Sequence, residues 1–126
     1  MAETDLLGEI MEIILYVEDM NSQVSFYRDV LGFKVKTPLA TSDYSHEFWV
    51  EFATGSCTLA LHAGGKRRFG TDAPKFVFKV DDILATRQSL LDKGVKMGEI
   101  RSAAPGIWVC DGEDPEGNKF SIESHD

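Results

Sequence analysis

Hydrophobic and polar positions alternate along this chain in blocks, and the order of the blocks occurs twice. Residues 9–17 (EIMEIILYV) are apolar and rich in β-branched side chains, which predicts a strand. From about residue 21 to 31 the period changes. Val24, Tyr27, Val30 and Leu31 fall on one face at helical spacing. Asp19 or Asn21 supplies the N-cap, and Gly32 ends the helix. Phe33–Lys36, Glu47–Phe52 and Cys57–His62 predict three more strands, with turns at Pro38, Ser42-Asp43 and Thr54-Gly55-Ser56. The same order then returns. Lys75–Val80 reads as a strand, and Asp82 caps a helix from about Ile83 to Lys93 that Gly94 ends. Val95–Ile100, Ile107–Cys110 and Lys119–Glu123 read as strands, the last two joined by the turn Asp114-Pro115-Glu116-Gly117-Asn118.

Val17-Glu18-Asp19 returns as Val80-Asp81-Asp82, 63 residues later. A period this long, met only twice, argues for a duplicated module rather than a solenoid. The expectation is an α+β chain forming a single domain over residues 1–126. It contains one βαβββ module at 8–62, a glycine-rich charged linker at 63–73 (AGGKRRFGTDA), and a second module at 74–124. A helix covers one face of each module's sheet, and the other face is lined by alternate strand residues. Function is expected where the copies face each other across a concave, mostly apolar pocket.

Composition narrows the partners. With a net charge of -8, a nucleic-acid or anionic-membrane surface is not expected. The densest basic run, Lys66-Arg67-Arg68, reads as a solvated loop, with a grip on an anionic substrate as the alternative. The first residues, MAETDLLGEI, lack the basic region and apolar run of a signal peptide, and no stretch is long enough for a membrane span. Cys57 and Cys110 lack metal spacing and read as reduced strand residues of a cytoplasmic protein. No GxSxG elbow, P-loop or GxGxxG occurs.

Val17-Glu18-Asp19, Phe26-Tyr27-Arg28-Asp29-Val30-Leu31-Gly32-Phe33, Val80-Asp81-Asp82 and the late Asp114-Pro115-Glu116-Gly117-Asn118 together resemble the vicinal-oxygen-chelate superfamily. That superfamily takes in glyoxalase I, bleomycin-resistance proteins and extradiol dioxygenases. The resemblance runs over roughly residues 8–124. It implies a glyoxalase/bleomycin-resistance-like fold, two tandem βαβββ modules forming a cup-shaped mixed sheet, and a homodimer.

The resemblance also implies a place for a metal. Enzymatic members hold one divalent ion with four side chains from four strands. The matching positions here are Glu12, seven residues before Asp19, and Lys75, seven before Asp82, with Ala60 and Ser121 in the later strands. Alanine has no donor atom, and a protonated lysine has no acceptor and repels a cation. The set therefore predicts no metal and no other cofactor. A shifted set of Glu12, His62 and Glu123 is the alternative. Charge replacement predicts that Glu12 and Lys75 pair, directly or across a dimer, with the ammonium near the metal's place. Tyr16 and Ile14 share the face of Glu12, and Val77 and Lys79 that of Lys75. Trp49 and Trp108 are candidate aromatic walls, though either can instead pack as core.

The expected function is metal-independent binding of a small, partly apolar molecule by Glu12, Tyr16, Trp49, Ala60, His62, Lys75, Trp108 and Ser121. One rival is a divergent glyoxalase-type lyase/isomerase, or a dioxygenase. In it Glu12 is the general base and Lys75 stabilises an enediolate. A second rival is a non-catalytic interaction module with a filled cup.

Overall fold

The computed structural model describes residues 10–39, 41–65 and 75–126. Strand β1 (Glu12–Val17) leads into helix α1 (Met20–Ser25), which continues as a π-helical turn, Phe26–Val30. Strands β2 (Lys34–Thr37), β3 (Trp49–Ala53) and β4 (Thr58–Ala63) follow. The second half repeats the order with β5 (Phe76–Lys79), α2 (Ile83–Asp92), β6 (Lys96–Met97), β7 (Arg101–Ala104), β8 (Ile107–Glu113) and β9 (Lys119–His125). The first sheet has the order β1-β4-β3-β2. The second has the order β5-β9-β8-β6, with β7 also pairing β8. In each sheet the first strand runs parallel to the last, and the remaining pairs are antiparallel. Among the described residues no helix is long and apolar enough to cross a membrane.

Both helices begin where the acidic turns require. The Asp19 carboxylate accepts from the Ser22 N–H at 3.1 Å, and that of Asp82 from the Ala85 N–H at 3.0 Å. Asn21, the other candidate cap, instead accepts from the backbone N–H of Tyr44. Helix α2 stops at Gly94, whose φ of 84° suits a residue without a Cβ, and the Val95 N–H bonds back to the Leu90 carbonyl at 3.0 Å. The π-turn, closed by the Leu31 N–H on the Phe26 carbonyl at 3.0 Å, sends both Phe26 and Tyr27 into the core.

The second half departs from the sequence reading at its strand ends. The expected strand Val95–Ile100 is reduced to two residues. Arg101–Ala104, outside every expected strand, pairs with β8. Strand β8 runs three residues past Cys110 because its ladder with β9 continues to Glu113↔Lys119. Pairing with an ordered neighbour overrides the weak strand propensity of Asp-Gly-Glu.

One core holds the halves together. Val17, Val50, Phe52, Leu59 and Leu61 from the first sheet cluster with Phe26, Tyr27, Cys110, Phe120 and Ile122. Phe26 lies 6.1 Å from Phe120 and Phe33 5.3 Å from Phe78, so the seam is aromatic. Each such side chain contributes roughly 1.5–3 kcal/mol of burial. The two halves therefore meet through their helix-covered faces. The other faces carry the exposed Ile14, Tyr16 and Val77.

Candidate functional site

Strand register fixes what each outward face presents. On the first sheet Glu12, Ile14 and Tyr16 lie beside Thr58, Ala60 and His62, and His62 lies beside Trp49. Alternate residues of these strands (Leu15, Val17, Leu59, Leu61) turn to the core. The His62 ring is boxed by aromatics, with Phe48 at 4.4 Å, Tyr16 at 4.7 Å and Trp49 at 5.9 Å. Its Nδ1 donates to the Ala63 carbonyl at 2.7 Å. The Trp49 indole donates to Glu51 at 2.8 Å. Tyr16 and Phe48 are 56% and 65% exposed, so this wall is aromatic and open to solvent. Glu12 stands at its end, half-buried, with no hydrogen-bond or ion-pair partner among the described residues.

The second sheet presents a polar wall. Val77 lies beside Ser121 and Ser121 beside Asp111; one row on, Lys79, Glu123, Val109 and Arg101 lie side by side. Asp111 is the hub. Its Oδ1 accepts from the Ser121 hydroxyl at 2.6 Å and the Lys75 ammonium at 3.2 Å, and its Oδ2 from the Arg101 guanidinium at 2.9 Å. Partial burial alone would raise the Asp111 carboxyl pKa. The bonds from Ser121, Arg101 and Lys75, with the Lys75 charge, overcome that and lower it to about 2. Lys75 thus pairs with Asp111, and within one chain the expected Glu12–Lys75 pair does not form. Arg101 and Asp111 were not in the sequence-derived set. The β8–β9 register marks Asp111 by setting it opposite Ser121, and the β7–β8 register marks Arg101 by setting it beside Val109.

Trp108 does not join either wall. It pairs with Ser124 on the core side of the second sheet, near the strand end, and its indole donates to Asp126 at 3.3 Å. The alternation of β8, Trp108 and Cys110 inward and Val109 and Asp111 outward, decides this. The structure sets His62 and Ala60 on one sheet and Glu123 on the other, and Glu123 accepts from His125 at 2.6 Å. The run Lys66-Arg67-Arg68 lies outside the described residues.

A divalent cation does not suit the four matching positions. Ala60 has no ligand atom, the Ser121 hydroxyl donates to Asp111, Lys75 is an ammonium with no acceptor to offer, and Glu12 alone is a free carboxylate. Hydrogen-bond donors stand where a metal needs acceptors.

The turn Asp114–Asn118 closes the seam. Buried Asp114 accepts five hydrogen bonds, from Gln23 Nε2, the Tyr27 hydroxyl, the Glu116 N–H and both the N–H and Nδ2 of Asn118. Glu116 accepts from the N–H groups of Glu18 and Asp19, so the late turn docks on the first acidic turn. Burial first, then Asp114, raise the Tyr27 phenol well above its ordinary value.

Solved structures of similar architecture bear on the fold. An antibiotic-binding protein, TnmS3 from Streptomyces sp. CB03234, is 21% identical, with 97% of this chain and 99% of that chain covered at a TM-score of 0.73. A lactoylglutathione lyase from Agrobacterium tumefaciens is 21% identical over 95% of this chain and 96% of its own, with a TM-score of 0.71. The virulence protein STM3117 from Salmonella typhimurium is 21% identical over 97% of this chain and all of its own, with a TM-score of 0.70. At such identities these likenesses establish the fold alone. No curated protein sequence matches. The model of one family matches residues 8–122, nearly the whole chain, and the chain therefore belongs to the Glyoxalase/Bleomycin resistance protein/Dioxygenase superfamily.

Proposed function

We propose that this chain binds a small, partly apolar molecule against its outward sheet faces without the help of a metal ion. One observation carries the reading. Lys75 and Ser121, at two of the four positions where enzymatic relatives hold metal ligands, are donors already engaged by Asp111. The aromatic wall of Tyr16, Trp49 and His62, with Ala60 beneath it, supplies a flat apolar surface, and Glu12, Lys75 and Ser121 supply the polar groups. Among the similar structures, one is described as an antibiotic-binding protein.

A second copy covers the exposed walls and closes a cup over them. We infer a homodimer in which the aromatic wall of one protomer opposes the polar wall of its partner. The exposed Ile14, Tyr16, Phe48 and Val77 support it, since open apolar patches on soluble proteins mark binding surfaces. Light scattering that gives a monomer at all concentrations would remove this part.

The test of binding is a thermal-shift screen of planar apolar compounds on chelator-treated protein, with Trp49 fluorescence as the second readout. Stabilisation without added metal supports the reading, and stabilisation only after metal is restored overturns it. Glu12, unpaired on its strand, supports a second reading as the general base of a lyase/isomerase of the glyoxalase I type, or of a dioxygenase. Glu12→Gln separates the two, because it abolishes turnover in the second and only weakens binding in the first.

A further inference from the structure

The chain carries eight more acidic than basic residues, yet one face reverses that sign. On the outward side of the second sheet, register places Lys75, Lys79, Lys96, Lys119 and Arg101 among Asp111, Glu113 and Glu123. The lysines concentrate at one end, around a hollow of about 540 Å³ lined by Lys75, Lys96, Lys119, Met97, Asp111 and Glu113.

The carboxylates of this hollow are already compensated. Glu113 accepts from Lys119 at 2.9 Å, and Asp111 from Arg101, which stands outside the hollow, also at 2.9 Å. Two ammonium charges remain. Lys75 spends one of its three donors on Asp111, and Lys96 has no partner among the described residues. Lys75 is 40% exposed at its side chain, so its other donors are open. Beside it on the same face stands the exposed Val77.

We propose that this hollow seats the carboxylate of a small organic acid. Lys75 and Lys96 donate to the carboxylate oxygens, and the exposed Val77 flanks the apolar part. Where enzymatic relatives place a cation held by acceptors, this chain places donors that receive an anion. The proposal rests on the reading of this face as a ligand wall and adds the ligand's charge.

The experiment is a titration of the intact protein followed by amide chemical shifts, in parallel with benzoate, the neutral isostere benzamide and inorganic phosphate. The expected result is saturable benzoate shifts at residues 96–98, 111–113 and 119–121, with benzamide at least tenfold weaker. Lys75→Gln and Lys96→Gln each weaken benzoate at least fivefold, while Lys75→Arg stays within twofold and shows that the site still folds. Equal binding of benzamide and benzoate overturns the charge assignment but leaves a ligand wall. Binding of phosphate without benzoate overturns the organic acid. Shifts confined to the aromatic wall overturn the location, and no binding by any probe overturns the proposal outright. The wider reading fails only if the compound screen also finds no ligand.

Discussion

Truncating Asp114 to alanine should remove a large fraction of this protein's stability, and the structure shows why. The side chain is 4% exposed and accepts five hydrogen bonds of 2.8–2.9 Å. Two donors, Gln23 and Tyr27, belong to the first half and are fully buried. Truncation strands both, at about 1–3 kcal/mol for each orphaned donor. The donors within the turn can rearrange with their loop and add on the order of 1 kcal/mol. The total is about 4 kcal/mol, against roughly 5–15 kcal/mol for a whole domain. At a few degrees per kcal/mol, Tm should fall by roughly 15 °C. Urea unfolding followed by circular dichroism gives the free energy. A double-mutant cycle with Tyr27→Phe should show coupling of about 1.5–3 kcal/mol, the range for a hydrogen bond to a charged group. A loss under about 1 kcal/mol for Asp114→Ala, or additive effects in the cycle, would refute the claim that this carboxylate joins the halves.

Three further outcomes follow from local geometry. The Tyr27 phenol is raised by burial, so its neutral form is favoured in the folded state; the stability it contributes is full below pH 10 and declines as pH rises beyond it. Absorbance at alkaline pH should show the Tyr27 phenol ionising only together with unfolding. Asp111 is depressed from 3.8 to about 2, so its contribution is present above pH 4 and lost as pH falls toward 2. Because its side chain is 44% exposed, solvent screening limits this to on the order of 1 kcal/mol, read as the gap between wild type and Asp111→Asn closing between pH 5 and pH 2. Gly112→Ala would place a Cβ 2.7 Å from both Met97 Sδ and the Phe120 ring, which should cost about 1–3 kcal/mol in chemical denaturation.

Much of the fold was legible because local signals agreed with the tertiary structure. The acidic turn residues Asp19 and Asp82 cap both helices, and the glycines at 32 and 94 take positive φ after them. Alternation along β1 and β4 put Glu12, Tyr16, Ala60 and His62 on one face, as their register shows. What failed was non-local. The Lys75–Asp111 pair depends on how β8 aligns with β9, and no spacing in the chain encodes that alignment. Trp108 was a candidate wall with core packing as the alternative, and one residue of strand phase decides between them by turning it to the core side. The turn at Asp114 was assigned no role beyond bending the chain. Its partners Gln23 and Tyr27 lie some 90 residues away, so its part in joining the halves emerged only from the fold.

The central claim is that donor chemistry has replaced metal chemistry at the floor of the cup. Elemental analysis of untagged protein, before and after loading with Ni, Zn, Mn and Fe(II), tests it most directly. The account predicts no stoichiometric metal under any loading and no change on Glu12→Gln. One metal ion retained per chain and lost on Glu12→Gln would contradict it.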